Sequence, residues 1–362
     1  MITDAELPVE PQGPTATAAE ARALLARVTK VFATKPFRPH RLFRHGHAQT
    51  MAAYAWPRRF RFASERDEER LFEVAPGVKV LAHCRWQSDR DNHPTIVIWH
   101  GIEGSTSSNY MQAIAEKGSH AGFNVIRVNF RNCGGTEHLT ETIYHGGLSA
   151  DLDAVVKELI DRDHISRMVL VGFSLGGNLV LKLAGEYGDD PPREILGICA
   201  VSPSIDLNAS ADMILKRSNW IYHRDFVRRL KQRIRTNHKL YPARYDISSL
   251  DEVHTLREFD EHYTSRAHGF ADANDYYFRA SSLRVINRIR IPTLIIHAAD
   301  DPFIPIISLL DPAVGDNPYI LLLAPEQGGH VAFISAEREA NSDRFWAENR
   351  VVEFCQLQLD AN

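Results

Sequence analysis

Six short apolar runs punctuate the chain: TIVIW (95–99), NVIRVNF (124–130), MVLVGF (168–173), ILGICAVS (195–202), IPTLIIHA (291–298) and YILLLA (319–324). Runs of this length, rich in Val, Ile and Leu, suit strands buried on both faces. Stretches of helical period lie between them. Residues 109–121 read as one helix. SADLDAVVKELIDRD (149–163) puts Leu152, Val155, Val156, Leu159 and Ile160 on one face, with Ser149 as the expected N-cap. LGGNLVLKLAGEYG (175–188) reads as a helix ended by Gly188. Strands that alternate with helices must join by crossovers, so the chain is expected to form an α/β fold with a mostly parallel central sheet flanked by helices. Ahead of this rhythm, RLFEVAPGVKVLAHC reads as strand, turn at Pro76-Gly77, strand.

The rhythm sets the boundaries. Residues 1–16 read as disordered, and Leu24, Leu25, Val28, Val31 and Phe32 mark a docked helix within 17–33. An N-terminal tail and helix (1–33) then precede the first part of the core (34–203). Residues 204–288 are polar, aromatic and helical in composition, too long for a simple connection, and are expected to form a lid inserted between late core strands. The core resumes over 289–362, with a last helix from about Ser342. The stretch 35–59 is basic and aromatic. Its histidines, His40, His45 and His47, have no cysteine or carboxylate at ligand spacing, so no metal site is expected there.

Composition narrows the class further. A net charge of −4 over 362 residues gives no basic field for nucleic acid. Cys84, Cys133, Cys199 and Cys355 are widely spaced, which favours buried free thiols over a disulfide framework. The N-terminus has no apolar h-region, and no run approaches the roughly 18 apolar residues of a spanning helix. These features lead to the expectation of a soluble cytoplasmic protein. Neither G-x-G-x-x-G nor G-K-[ST] occurs, and no cofactor is expected.

The sequence Gly172-Phe173-Ser174-Leu175-Gly176 fits G-x-S-x-G, a sharp strand-to-helix turn that exposes a serine nucleophile. Its place between an expected strand and an expected helix supplies the required context. A serine hydroxyl needs a base, and in the α/β-hydrolase fold the acid and the histidine follow it in that order. Asp300 and Asp301 follow the strand run at 291–298, and His330 follows the run at 319–324. His330 is the expected general base and Asp301 its orienting acid. Asp301 begins the Asp-x-x-x-Pro string that ends at Pro305, Asp300 suits the turn, and Asp206 is a third candidate acid. The expected oxyanion donors are backbone N–H groups: Leu175, next to the nucleophile, and Ile102, in the His100-Gly101 loop.

The strings HAQTM (47–51), HGIEGS (100–105), YHGGLSADL (144–152), GFSLGGN (172–178), REFDEHYTSRAHGFADANDYY (257–277), PTLIIHAADDPF (292–303) and GGHVAF (328–333) go further. With them the chain resembles the YheT-like α/β-hydrolases, which join bacterial esterase-like proteins to eukaryotic abhydrolase-domain lipases and acyltransferases. The resemblance runs from about His47 to the C-terminal helix. It implies a nucleophile at Ser174, an acid at Asp301 and a base at His330. The family often has R-G-C-x-G after its fourth strand; this chain has Arg131-Asn132-Cys133-Gly134-Gly135. Residues 1–33 match nothing in that pattern.

The resemblance implies a carboxylic ester hydrolase for acylglycerols or short- to medium-chain acyl esters, with a small-molecule ester or lipid as partner. Two alternatives share the fold: an acyltransferase passing the same acyl group to an alcohol, and a non-catalytic scaffold. The intact set of site residues argues against the scaffold. Within the expected lid, residues 221–239 carry Arg224, Arg228, Arg229, Lys231, Arg233, Arg235 and Lys239, with Val227, Leu230 and Ile234 on one face. The favoured reading packs that face on the core and leaves the charges solvated. The competing reading lays it on an anionic membrane.

Overall fold

The computed structural model describes residues 16–60, 67–339 and 343–360. Its strands are β1 (Glu68–Ala75), β2 (Val78–Arg85), β3 (Thr95–Trp99), β4 (Asn124–Val128), β5 (Met168–Phe173), β6 (Ile195–Val201), β7 (Thr293–Ile296) and β8 (Ile320–Leu323). The helices of the first half are α1 (Ala18–Ala33), α2 (Gly46–Ala55), α3 (Asn109–His120), α4 (Ser149–Asp161) and α5 (Leu175–Tyr187). Between β6 and β7 come α6 (Leu207–Ile214), α7 (Trp220–Leu240), α8 (Leu256–Phe259), α9 (Ser265–His268) and α10 (Ala273–Ala280). The short α11 (Pro312–Gly315) precedes β8, and α12 (Trp346–Leu359) closes the chain.

The strands form one sheet in the order β1-β2-β4-β3-β5-β6-β7-β8. β1, β2 and β4 pair antiparallel, and every later pairing is parallel. From β3 the chain moves outward to β4, then returns to place β5 on the other side of β3. That reversal opens a crevice beyond the carboxyl ends of β3 and β5, where ligands of open α/β sheets bind. The register brings Trp99 opposite Gly172 and Phe173 opposite Val201, so the loops after β3, β5 and β6 leave the sheet at one level.

Side chains alternate to the two faces of the sheet. Ile96 and Ile98 of β3 join Val169, Val171 and Phe173 of β5 in a core with α1, α3 and α12. Val97, Trp99 and Leu170 join the other core, with α4, α5 and the helices between β6 and β7.

Several expectations meet the structure here. The N-cap of α4 is Leu148, and the Ser149 hydroxyl instead donates to Glu186 Oε2 of α5 at 2.5 Å. Helix α7 buries Val227, Leu230 and Ile234 in the core, so the apolar face that a membrane would need is already occupied. Arg233 is not solvated: its side chain is 9% exposed and pairs with Glu103. The four cysteines are buried free thiols. No described helix is long and apolar enough to cross a membrane. The disorder expected before Ala16, and Ser342 as the start of the last helix, fall outside the described residues.

Helix α1 is anchored by Leu24, Leu25, Val28 and Phe32, and the Arg350 guanidinium of α12 lies 5.3 Å over the Phe32 ring. Removing a buried aromatic ring there leaves a cavity beside the Arg350 guanidinium. Phe32→Ala is expected to cost roughly 3–4 kcal/mol, read as a lower urea midpoint with an unchanged m-value. An unchanged midpoint would show that α1 is not part of the cooperative unit.

Candidate active site

Ser174 caps the turn from β5 into α5 with φ 53° and ψ −115°. A non-glycine residue rarely adopts that conformation, and the cost is met by the packing around it. The two flanking glycines show how. A Cβ on Gly172 would overlap the Gly176 carbonyl, and one on Gly176 would sit 2.5 Å from the His100 carbonyl oxygen. The elbow closes only when both positions lack a side chain. Gly101 packs as tightly, with its own added Cβ 3.0 Å from Ser174 Cβ. The Ser174 side chain makes no capping bond to α5, which leaves its hydroxyl available to the cavity.

The acid and the histidine meet across two loops. His330 Nδ1 donates to Asp301 Oδ2 at 2.8 Å. Asp301 Oδ1 accepts from the N–H groups of Phe303 at 2.8 Å and Ile304 at 3.2 Å. Burial raises the Asp301 carboxyl, but the His330 imidazole, its hydrogen bond, His297 and the Phe303 N–H together hold it below the usual range. Asp300 instead accepts from Gly329 N–H at 2.9 Å, bracing the histidine loop. Asp206 is the N-cap of α6, accepting from Ala209 N–H at 3.0 Å. Ser174 and His330 face the same cavity, and among the described residues no hydrogen bond joins their side chains.

The loop after β3 is fixed by a buried histidine. His100 Nε2 accepts from Phe130 N–H at 3.1 Å, so Nδ1 carries the proton and donates to the Gly101 carbonyl at 2.7 Å. Gly104 N–H donates to the same carbonyl at 3.1 Å, and Gly101 N–H donates to the Tyr110 hydroxyl at 2.9 Å. The Gly101 carbonyl and the Ile102 N–H share one trans peptide plane and point opposite ways, so clamping the first aims the second. Ile102 and Leu175 both line the cavity with Ser174. As the first residue of α5, Leu175 has an N–H with no partner inside the helix.

Three supports had no local signal in the sequence. The first is α2, in the basic aromatic stretch. Gln49 donates to Phe43 O at 2.7 Å and Ile334 O at 3.1 Å and accepts from Ile334 N–H at 2.8 Å, while Thr50 Oγ1 accepts from His330 N–H at 2.9 Å. The HAQTM string thus holds the histidine loop. Its histidines have other places: His40 stacks on Phe43, His47 stacks on Tyr222 of α7, and His45 is the N-cap of α2. The second support is Glu103, next to Ile102 and at φ 54°. Its N–H donates to Tyr144 Oη at 2.9 Å, and its Oε1 accepts from Tyr144 at 3.0 Å and Arg233 Nε at 2.8 Å. Arg233 also donates to the Asn132 carbonyl, so α7 is tied to the loop after β3 and to the Arg131-Asn132-Cys133 turn. The third is Asn178, which joins α5 to Gly146, Ala280 and Ser282 at 2.8, 2.9 and 2.8 Å.

Comparisons with known proteins give the family and the fold. The model of the "alpha/beta hydrolase fold" family matches residues 94–337. The chain is 33% identical to "Putative esterase YheT" of Escherichia coli (strain K12) over 90% of this chain and 94% of that one. It is 30% identical to "Monoacylglycerol lipase" of Saccharomyces cerevisiae over 71% of this chain and 58% of that one. Among solved structures, the fold is similar to a Pyrococcus furiosus esterase, at TM-score 0.54 and 18% identity, over 83% of this chain and 98% of that one.

Buried His100, His145 and His297, with the partly buried His268, carry a signature in pH. Burial pushes His100 and His268 down to about 4 and lowers His145 and His297 as well. The unfolded chain gains protons below about pH 6.5 while the folded chain does not, so this stability is present above that pH and lost as pH falls toward 4. Asp260, raised to about 6 by burial, works the other way over part of the range. The free energy of unfolding is expected to fall between pH 7 and pH 4, measured by urea titration at each pH. A flat profile would contradict neutral, buried imidazoles.

Proposed function

This chain belongs to the alpha/beta-hydrolase fold family and, within it, to the YheT-like group, and on that premise we propose that it cleaves carboxylic esters through an acyl-enzyme on Ser174. The observation that carries the reading is the 2.8 Å bond between His330 Nδ1 and Asp301, which leaves His330 Nε2 as the free base in the cavity of Ser174. In this mechanism His330 Nε2 takes the Ser174 proton as Oγ attacks the acyl carbon. The oxyanion forms against the N–H groups of Leu175 and Ile102. The alcohol leaves with the proton from His330, and water, deprotonated by the same imidazole, releases the acid and restores Ser174. Asp301 stays ionised throughout and holds the imidazole in its tautomer.

The cavity walls support an apolar acyl group: Leu207, Ile214, Phe226, Leu230 and Phe259 line it. Acylglycerols and short- to medium-chain acyl esters fit such walls. Helices α6 to α10 supply most of these residues and act as the lid of the site. Arg233 and Glu103 then tie the lid to the loop that presents Ile102. An alcohol in place of water would make the same acyl-enzyme a transferase intermediate, and product analysis with added alcohol separates the two.

The test is a substitution series on a soluble p-nitrophenyl ester. Ser174→Ala is expected to lower kcat by about 10⁴–10⁶-fold and abolish fluorophosphonate labelling, with an unchanged circular dichroism spectrum. Asp301→Asn is expected to lower kcat by about 10³–10⁴-fold through the wrong imidazole tautomer, and Asp300→Asn and Asp206→Asn far less. A folded, fully active Ser174→Ala protein would overturn the mechanism. If Asp301→Asn kept most of kcat while Asp300→Asn or Asp206→Asn did not, the acid assignment would be wrong.

A further inference from the structure

The cavity of Ser174 and His330 has a second polar element, built entirely by the helices between β6 and β7. Asp260, Thr264 and Tyr277 line it on a stretch of mostly apolar wall, with His145, Ser204, Ser210 and Arg233 among the other polar residues of the lining. Asp260 opens a π-helical turn, Asp260–Thr264, between α8 and α9. Such turns are uncommon and recur at functional sites. This turn sits inside REFDEHYTSRAHGFADANDYY, the longest of the strings that mark the chain and one that supplies neither nucleophile, acid nor base.

The carboxylate is unusually placed. Asp260 is 7% exposed. Its Oδ1 accepts from Thr264 Oγ1 at 2.7 Å and its Oδ2 from Tyr277 Oη at 2.7 Å. A carboxylate offers roughly four acceptor positions, so about half of this one's capacity is unused. Among the described residues no Lys, Arg or His forms an ion pair with it. Arg257, whose charge reaches it weakly, pairs with Asp212, donates to Asn208 and Asn274, and lies 5.0 Å over the Tyr277 ring. Burial is the largest influence on the Asp260 carboxyl and pushes it up to about 6, against the pull of the two hydroxyls.

An unpaired carboxylate under an apolar cavity is costly unless something donates to it. A residue needed only to knit α8 to α10 could do so through neutral groups, without that cost. The remaining acceptor positions belong to a residue of the cavity wall, in the space where substrate must lie if Ser174 is the nucleophile. A neutral hydroxyl can donate there without bringing a second charge into an apolar pocket.

We propose that Asp260, held by Thr264 and Tyr277, is a specificity-determining residue that accepts a hydrogen bond from a free hydroxyl of the substrate, so that hydroxyl-bearing esters are preferred over their plain analogues. The inference rests on the ester reading of Ser174 and deepens it. A site built to receive a hydroxyl discriminates strongly against a ligand that lacks one, because its acceptor is then left unpaired.

The experiment compares kcat/KM of the full chain for three esters: propyl hexanoate, 2,3-dihydroxypropyl hexanoate and propyl 6-hydroxyhexanoate. The wild type is expected to favour at least one hydroxylated ester over propyl hexanoate by about 10–100-fold. Which one it favours tells whether the hydroxyl sits on the alcohol or the acyl side. In Asp260→Leu, which removes the acceptor, the ratio is expected to fall to within about twofold of one, whatever absolute rate remains. A merely structural role would lower all three rates together and leave the ratio standing, which would overturn the proposal. Equal rates for all three esters in the wild type would overturn it without any variant, so a poorly folding Asp260→Leu does not shelter it. Failure of the wild type to cleave any of the three, with no loss of labelling in Ser174→Ala, would instead bring down the ester reading itself.

Discussion

Ser174 sits where β5 turns sharply into α5, and close backbone contacts hold it there. A side chain held at φ 53° between a buried strand and a buried helix is stable only if the surrounding backbone leaves it no alternative. That backbone is close on every side. Gly172 meets Gly176, Gly176 meets the end of β3, and Gly101 meets Ser174 itself. The parallel pairing of β3 with β5 brings these segments into contact, so sheet register and elbow geometry are one problem with one solution. The same contact places the Ile102 peptide beside Ser174, and the His100 ring locks that peptide from behind.

The histidine side of the site is assembled from more distant parts. Asp301 follows β7, His330 follows β8, and α2 reaches across from the start of the chain to hold the histidine loop by its backbone. Two glycines let that loop in. Gly329, at φ 64°, packs against the Gly46 carbonyl and Gln49, and Gly46 packs against the Asp300 backbone. The segment from Gly46 to Thr50 therefore works as a buttress for His330. A further strut, Arg233 to Glu103, ties α7 to the loop of Ile102, so motion of the covering helices is mechanically linked to one wall of the site.

Much of this was legible in the sequence, for physical reasons that differ by residue. Strands β3, β5 and β6 are buried at every position, and nothing but a run of apolar residues can satisfy such an environment. The elbow was legible because its steric demand permits little besides glycine at two fixed spacings. Gln49, Thr50 and Arg233 were not legible, because each acts on backbone or side chains far away in sequence. Gln49 and Thr50 sit in a helix with no strong apolar stripe, and their partners lie about 280 residues on. Arg233 is one of many cations on α7, and only its place beside Leu230 and Ile234 turns it inward. Ser149 misled for the opposite reason: a good capping residue at a helix start, it found a better partner in Glu186.

In the proposed mechanism Ser174 carries the acyl group during turnover. Acid-quenching the protein within milliseconds of mixing with a slowly hydrolysed p-nitrophenyl ester, followed by intact-mass and peptide analysis, tests this. A stoichiometric burst of p-nitrophenol is expected, with a mass increase of one acyl group on the peptide holding Ser174, accumulating further when Asp301 is replaced by asparagine. Steady hydrolysis with no burst and no acylated peptide, or an acyl group on another residue, would contradict it.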